Sequence, residues 1–327
     1  MGKRVFLITL HLTFIIIIAC RKPENSITPP ITAPADTLSN NDTNTFTWER
    51  VADFAGIGRQ NVICFSIGSK GYFCLGNQGN TAYRDLWEYD VATNVWTRKA
   101  DFPGTERLAA TGFSIGTKGY VGTGLCNCSD FWEYDPAMDK WTQKADFPVA
   151  GSYYVSSFAV GNKGYAGTGF NNTTLKTFYE YDPSLDKWTQ KENYPGTPVT
   201  ASVSFASATK GYIATGDDNN ANAVKELWEF DPTTDKWSRK ADVPYATFGA
   251  LGFSVNSKCY IGLGNGGAKM IWEYNPATDK WKQAPDFEGS ARENPEAIVI
   301  NNTAYLGFGV VGYMEPYPID FWKFKIN

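Results

Sequence analysis

The amino-acid sequence predicts an all-β protein, a six-bladed β-propeller closed by an N-terminal strand. Within its 327 residues, a short pattern of a small residue followed by Tyr recurs six times, at intervals of 45 to 48 residues. That interval is typical of a propeller blade of four short antiparallel strands. Beyond residue 20, no run of ten or more residues keeps the period of an amphipathic helix. The six copies are Gly71-Tyr72, Gly119-Tyr120, Gly164-Tyr165, Gly211-Tyr212, Cys259-Tyr260 and Ala304-Tyr305.

Tryptophans mark the outer part of each repeat and indicate how the ring closes. A further Trp ends five of the six repeats. The sixth repeat stops at Asn327 without one, whereas Trp48 stands alone ahead of the first repeat. We therefore expect the segment around Trp48 to supply the last strand of the sixth blade, because this pairing leaves no long open sheet edge. The five residues that end a repeat are Trp96, Trp141, Trp188, Trp237 and Trp281.

The second repeat shows how one blade is expected to be built. Gly116 begins a tight turn between its first two strands. Between the third and fourth strands, Pro136 presets φ, and Asp135 and Asp139 can bond nearby backbone N–H groups. Because this Asp pair recurs in blade after blade, we interpret it as a turn device and not as a catalytic pair. The four strands are predicted at 108–115, 119–124, 131–135 and 141–144.

Strand composition and direction orient each blade. The first strands are rich in Gly, Ala and Ser, which suits the innermost position, where space narrows toward the axis. Trp and Tyr of the later strands then fill the wedges between blades, each burying roughly 150 to 250 Å². The loops after the second and fourth strands open on the same end of the ring, called the loop face below. These loops are long and irregular, so we expect function on this face.

The repeat resembles the kelch motif over residues 46–327, and six copies agree. One departure is that the double Gly usual after the second strand of a kelch repeat appears mostly as Gly-x-Gly, as in Gly122-Thr123-Gly124. The resemblance implies a kelch-type propeller. Many kelch propellers are binding modules without catalytic activity, and bacterial sialic acid epimerases are kelch-like exported enzymes.

The N-terminal segment resembles a bacterial lipoprotein signal. Lys3 and Arg4 precede an apolar stretch over 5–18, which Ala19 and Cys20 follow. This stretch is shorter than the roughly 20 residues that cross a bilayer. The resemblance implies a signal peptide at 1–19, lipidation of Cys20, and a location on the bacterial cell envelope, most simply at the outer membrane.

Residues 20–45 are rich in Pro, Thr, Ser and Asn, and we expect a flexible lipidated tether there. Within the tether, Asp36-Thr37-Leu38 resembles the short O-glycosylation motif of Bacteroidetes envelope proteins. An ordinary linker is the alternative interpretation of these three residues.

Charge and composition exclude several classes of function. Without Lys3 and Arg4, 28 basic residues oppose 34 acidic ones, a net charge of −6. Nucleic acid and anionic membrane surfaces are therefore poor partners. The single His, His11, lies in the removable signal, which excludes imidazole-dependent catalysis and His-ligated metals. We predict no cofactor and no metal.

Five cysteines follow Cys20, so they cannot all pair with one another. Cys64 and Cys74 lie on the first two strands of one blade, whereas Cys126 and Cys128 share a loop. A metal site at Cys126 and Cys128 is disfavoured because no second pair and no His accompany them. Whether these four cysteines form a disulfide stays open.

Residues that differ between repeats are the candidates for ligand binding. One such position lies twelve residues before the small residue of the Tyr motif. Three consecutive blades around the ring have Arg there, namely Arg59, Arg107 and Arg292, and the other three have Ser, Val or Thr. Three guanidinium groups at one side of the channel mouth would suit a carboxylate or another anion. The alternative is that they form ion pairs with nearby carboxylates. Those carboxylates are Glu106, Glu293 and Glu296.

Polar and aromatic residues in the loops after the second strands complete the candidate site: Tyr83, Arg84, Asp217 and Tyr313. Amides and carboxylates beside exposed rings suit a sugar surface. Asn-rich turns and a calcium site at 217–220 are alternatives for parts of this set.

Besides a purely structural assembly factor without a small ligand, two hypotheses of function remain open. The first is a non-enzymatic, monomeric interaction module of the cell envelope that recognises a glycan, a peptide or a partner protein through the loop face. The alternative is a sugar-modifying enzyme similar to the kelch-type sialic acid epimerases.

Overall fold

The computed structural model describes residues 46–218, 220, 222–265, 268–312 and 316–326. The predicted signal peptide, Cys20, the tether and Tyr313 lie outside these residues. All of the regular elements within them are β-strands, and none of the described segments is a helix capable of crossing a membrane.

Six antiparallel four-stranded sheets form the blades, with each sheet running from an inner to an outer strand. The first blade consists of Ile63–Ile67, Lys70–Cys74, Leu86–Asp90 and Val95–Lys99. The second consists of Thr111–Ile115, Lys118–Gly122, Phe131–Asp135 and Lys140–Lys144. The third consists of Ser156–Val160, Lys163–Gly167, Phe178–Asp182 and Lys187–Gln190.

The remaining blades repeat this arrangement. The fourth consists of Val203–Ala206, Gly211–Ala214, Leu227–Asp231 and Lys236–Lys240. The fifth consists of Leu251–Val255, Lys258–Gly262, Ile271–Asn275 and Lys280–Ala284. The sixth consists of Glu296–Ile300, Thr303–Gly307, Phe321–Ile326 and the N-terminal Phe46–Val51. Two short hairpins rise from the loop face, Asn77–Gln78 with Thr81–Ala82 and Phe170–Asn171 with Thr173–Thr174.

The N-terminal strand closes the ring, as the position of Trp48 predicts. It pairs antiparallel with the third strand of the sixth blade and places Trp48 opposite Phe324. The Trp48 side chain is buried, with its ring centroid 4.8 Å from that of Phe324 and 4.9 Å from that of Phe287 in the fifth blade. The first and last parts of the domain therefore share one sheet and one hydrophobic core.

Deleting residues 46–54 is expected to abolish cooperative thermal unfolding. The deletion removes one strand of the sixth sheet and opens an edge along Phe321–Ile326. Deletion of residues 21–44 is the matched control and should leave the melting curve unchanged. Equal melting curves for the two deletions, followed by circular dichroism, would contradict this scheme.

Wedges of aromatic side chains join neighbouring blades and explain the Gly of the repeat. A Cβ atom on Gly119 would overlap the ring of Phe65 from the preceding blade. The same overlap occurs for Gly164 with the ring of Phe113 and for Gly211 with the ring of Phe158. The repeat Gly is thus required by close ring packing between blades.

The recurrent carboxylates of the outer turns are structural, as their repetition predicts. Asp139 accepts hydrogen bonds from the hydroxyl group of Tyr134, at 2.7 Å, and from the backbone N–H of Ala100 in the preceding blade, at 2.9 Å. The indole of Trp141 donates to the carbonyl of Ala100 at 2.9 Å. Each outer turn therefore binds its blade to the one before it. Equivalent acceptors in other blades are Asn94, Asp186, Asp235 and Asp279.

Candidate functional site

The three arginines singled out by the repeat are buried under the loop face. Arg107 is 1% exposed, and its guanidinium group forms a bidentate pair with Asp130, with Nη1–Oδ1 at 2.7 Å and Nη2–Oδ2 at 3.0 Å. Its Nε donates to the carbonyl of Thr105 at 2.8 Å, and Nη1 also donates to the carbonyl of Thr123 at 3.2 Å. The corresponding carboxylates of the other two blades are Asp85 for Arg59 and Asp320 for Arg292.

These contacts correct both interpretations of the arginines. The guanidinium groups do not line an open mouth, and their bidentate partners are aspartates, not Glu106, Glu293 or Glu296. The physical reason is that a buried charge must be paired and hydrogen-bonded. Burial raises the pKa of the Asp130 carboxyl, but the hydrogen bonds from Arg107 and Trp132 and the positive charge of Arg107 together outweigh it, so the net effect lowers this pKa. Four of the five N–H donors of each guanidinium group are bound within the protein, so these positions do not offer a free bidentate fork to an anionic ligand.

The repeat itself contains the signal that identifies these aspartates. An Asp lies two residues before the Trp of the third strand in the three blades that carry the Arg, as in Asp85 and Trp87. The indole of Trp87 donates to Asp85 at 2.7 Å, so Asp, Arg and Trp form one unit. The remaining three blades lack both the Arg and the Asp, with Thr177, Glu226 and Met270 at the Asp position. Next to Met270, the buried indole N–H of Trp272 has no partner among the described residues.

The other predicted loop residues are dispersed. The ring of Tyr83 lies against the Arg59 guanidinium, with the Arg59 Cζ atom 4.1 Å from the ring centroid, so it belongs to the buried arginine unit. Arg84 is exposed, and its carbonyl accepts from the N–H of Phe102. Asp217 is half-buried, and its backbone pairs with Thr200.

The Asp218 carboxylate is bound within its own loop, because it accepts from the N–H groups of Asn220 and Asn222. This arrangement does not favour a calcium site at 217–220.

A central channel of about 460 Å³ runs between the inner strands. The chain enters each inner strand through a residue in the left-handed region, with φ between 47° and 56°. These residues form a ring at the loop-face mouth of the channel: Asn61, Ala109, Tyr154, Ala201, Gly249 and Asn294. Because this conformation is unfavourable for residues other than Gly, Asn and Asp, the surrounding structure must hold it.

The seams between neighbouring inner strands differ in chemistry around the channel. Between the first and second blades, Ile63 packs where a Cβ on Gly112 would lie. Between the second and third blades, the Thr111 hydroxyl donates to that of Ser157. The Ser204 hydroxyl joins the third and fourth blades, because it accepts from the backbone N–H of Ser157 and donates to the carbonyl of Ser157. Most seams are thus apolar or are bridged by hydroxyl groups.

The seam between the sixth and first blades carries a carboxyl group. Glu296 stands where the other blades have no acidic residue, and it carries the single carboxyl group among the described residues that line the channel. The Cys64 thiol lies 3.7 Å from Glu296 Oε2 and 3.4 Å from the carbonyl of Ala297. The other blades carry Ile63, Thr111, Ser156, Val203 and Leu251 at the Glu296 position.

Burial controls the ionisation of this pair. It raises the pKa of Glu296 to about 8, although the contact with Cys64 acts in the opposite direction. Burial and the neighbouring Glu296 also raise the pKa of the Cys64 thiol well above its ordinary value. At neutral pH the seam therefore presents a protonated carboxyl group, which can both donate and accept hydrogen bonds, beside an unreactive thiol.

Amide side chains surround the mouth of the channel above Glu296. Asn294 Nδ2 donates to Gln60 Oε1 at 2.9 Å across the same seam. Asn61 Nδ2 donates to Asn77 Oδ1 at 2.9 Å, and Asn77 Nδ2 donates to the carbonyl of Gly79 at 2.8 Å. We call Gln60, Asn61, Asn77, Asn294 and Glu296 the seam cluster. Its donors and acceptors are uncharged at neutral pH, which suits a neutral hydroxyl-bearing ligand better than an anion.

The pattern of the repeats does not predict Gln60, Asn61 or Asn294 as ligand residues. It indicates Glu296 only together with Glu106 and Glu293, as a partner of the arginines or a non-repeated base. A comparison of the inner-strand positions would have found Glu296, since it is the one acidic residue at its repeat position. Gln60 and Asn294 carry no such signal. They come from different ends of the chain, and only the closure of the ring brings them together.

The solved structure of YjhT is similar to this chain, with a TM-score of 0.70 and 16% sequence identity. The alignment covers 84% of this chain and 96% of that chain. At this identity the similarity shows the fold alone. No protein-family profile and no curated protein sequence matches the chain. Geometry and comparison together establish that the chain is a six-bladed β-propeller.

Proposed function

We propose that this protein is a kelch-type binding module that recognises a neutral glycan at the seam cluster. The observation that carries the proposal is the asymmetry of the channel. One seam has a protonated carboxyl group below a chain of amides, whereas most of the others are apolar or bridged by hydroxyl groups. Sugar hydroxyls both donate and accept hydrogen bonds, as do protonated carboxyl groups and amides. The cavity of about 460 Å³ lies in the range of small-ligand sites.

Screening the purified protein against an array of neutral and acidic oligosaccharides tests this function. We expect binding to neutral glycans, weakened about tenfold by Gln60→Ala or Asn294→Gly, because each removes an interaction of about 1 to 1.5 kcal/mol. Glycine preserves the left-handed conformation of residue 294. Asn171→Ala, which alters an amide on the third blade, is the matched control and should bind normally.

Binding that is lost equally in the Asn171→Ala control, or binding only to acidic glycans, would contradict the seam cluster as the site. Binding to extended peptides but to no glycan would replace the ligand class and leave the site in place.

A second function, sugar modification, is supported by the raised pKa of Glu296. A carboxyl group with a pKa of about 8 can give and take a proton near neutral pH, as general acid–base catalysis requires. Anomer exchange is such a reaction, since a proton leaves the anomeric hydroxyl and another reaches the ring oxygen. The resemblance to kelch-type sialic acid epimerases suggests the same chemistry, but the buried arginines no longer argue for a carboxylated sugar.

Proton NMR of freshly dissolved sugar anomers, neutral and sialic acid separately, distinguishes the two functions. Accelerated exchange that Glu296→Gln abolishes would establish the enzyme. Unaccelerated exchange with intact glycan binding would leave the binding module.

We also propose that the protein is held on the bacterial cell envelope through a lipid on Cys20, at the outer membrane. The support is the sequence of residues 1–20, which resembles a lipoprotein signal. Cys20→Ser should shift the protein from the detergent phase to the aqueous phase of a membrane extract. Unchanged partitioning of this variant would refute the lipid anchor.

A further inference from the structure

A loop on the second blade carries a disulfide that closes over a single residue. Cys126 and Cys128 are bonded, whereas Cys64, Cys74 and Cys259 are free thiols. The bonded pair is half-buried and lies between Leu125 and Ser129 on the loop face, and Leu125 itself is exposed. A soluble thiol can therefore approach this disulfide, in contrast to the buried Cys74 and Cys259.

This disulfide does little to hold the fold together. In the chain-entropy account, the stabilisation by a disulfide grows with the length of the loop that it closes, and this loop is near the minimum. The bond also joins no two strands or blades, because both cysteines belong to the loop between two strands of one blade. A role other than structural bracing is needed to explain it.

The backbone on both sides keeps the two sulfur atoms close. Leu125 N–H donates to the carbonyl of Leu108 at 2.9 Å, and Gly151 N–H donates to the carbonyl of Cys128 at 2.8 Å. Asn127 between the cysteines holds φ at 52°, and their Cα atoms lie 5.2 Å apart. Both hydrogen bonds join backbone groups and involve neither sulfur atom. Two thiols formed by reduction would therefore stay adjacent and ready to close again.

We propose that Cys126 and Cys128 form an exchangeable disulfide that oxidises dithiols of peptide or protein partners. A partner thiolate attacks one of the two sulfur atoms, the bond between Cys126 and Cys128 breaks, and a mixed disulfide forms. The released cysteine leaves as a thiolate and takes a proton from water. The second partner thiolate then displaces the protein sulfur, so the partner gains a disulfide and the protein holds two thiols.

The surroundings of the site fit this exchange. The carboxylate of Asp130 lies within 4.8 Å of both sulfur atoms, and its charge is balanced by the bidentate pair with Arg107. A thiolate released at either cysteine therefore does not face an uncompensated carboxylate. Disulfides that solvent can reach are, as a class, more readily reduced than fully buried ones, and this half-buried pair is of that kind.

Thiol trapping on the full chain tests the proposal. The folded protein is equilibrated with glutathione redox buffers, quenched by alkylation in denaturant and digested with trypsin. Cleavage after Lys118 and Lys140 places both cysteines on one peptide, 119–140, apart from every other cysteine. We expect this peptide to change reversibly between disulfide and dithiol while tryptophan fluorescence stays native, and one equivalent of dithiothreitol to be oxidised per protein.

Variants separate exchange from bracing. The double variant Cys126→Ser and Cys128→Ser should lose dithiothreitol oxidation by at least about tenfold and keep its melting temperature within about 2 °C. Cys126→Ser alone should trap glutathione on Cys128. Cys259→Ala, which copies the residue of the sixth blade, is the control and should exchange normally.

Reduction of peptide 119–140 only when the protein unfolds would overturn the proposal. A large loss of thermal stability in the double serine variant would also overturn it. The same holds if oxidised glutathione fails to re-form the disulfide between the two reduced cysteines.

Discussion

Arg107→Ala is expected to lower the free energy of unfolding by about 3 to 5 kcal/mol. The substitution leaves the Asp130 carboxylate partly buried without its bidentate partner, which is the costly way to break a buried ion pair. It also removes the donors that satisfy the carbonyls of Thr105 and Thr123. Chemical denaturation monitored by tryptophan fluorescence measures the change.

Two further variants serve as controls. Arg98→Ala breaks an exposed pair with Asp101 and should cost at most about 1 kcal/mol. The double variant Arg107→Ser and Asp130→Thr copies the third blade and should recover at least half of the loss, because no unpaired charge stays buried. An Arg107→Ala protein as stable as the Arg98→Ala protein would show that the buried pair is not needed.

Glu296→Gln is expected to stabilise the propeller at neutral pH and to have no effect in acid. Burial raises the pKa of the folded-state carboxyl to about 8, above the ordinary value of 4.5. Below pH 4.5 the Glu296 carboxyl group is neutral in both the folded and the unfolded protein, and the folded state is at its most stable. As the pH rises from 4.5 to about 8, the carboxyl group ionises more readily in the unfolded protein, so the folded state loses stability. Each pKa unit corresponds to about 1.4 kcal/mol. Allowing for solvent in the channel, we expect this variant to be about 2 to 3 kcal/mol more stable than the wild type at pH 7.

Denaturation curves at pH 4 and pH 7 check this linkage. Subtracting the wild-type value at each pH cancels the titration of all other groups. Glu106→Gln, at an exposed position beside Arg107, is the control and should show no pH-dependent difference. A difference between the Glu296→Gln variant and the wild-type protein that is the same at both pH values would contradict the buried, protonated carboxyl group.

The sequence was sufficient to predict the fold because every blade of the propeller uses the same packing and turn contacts. A small residue lies against the inner strand of the preceding blade, as Gly119 does against Phe65 and Gly71 against Ile300, and a side chain holds the outer turn, as Asp139 does. Constraints copied six times are visible in a single chain. The closing strand is predictable for the same reason, since Trp48 fills the one gap in the series.

The candidate site was less predictable, and Arg107 shows why. Its departure from the repeat indicated a special role, but a position in the series does not say whether a side chain points into the channel or under a loop. Its partner, Asp130, lies 23 residues away in the chain, and the bidentate geometry identifies it. Arg and Asp occur together in the same three blades and are both missing from the other three. A comparison of the repeats therefore indicates that the two residues are in contact.

The repeats were enough to predict the number of blades, the strand order within each blade and the way the ring closes, because local turns and repeated packing dictate these features. Which of the non-repeated residues face the channel became clear from the folded arrangement alone. Gln60 and Asn294 are far apart in the sequence but share a hydrogen bond. Glu296 contacts Cys64 because the sixth blade lies beside the first in the closed ring. The raised pKa of Glu296 likewise depends on burial, which arises when the six inner strands surround the channel and reduce the contact of the carboxyl group with water.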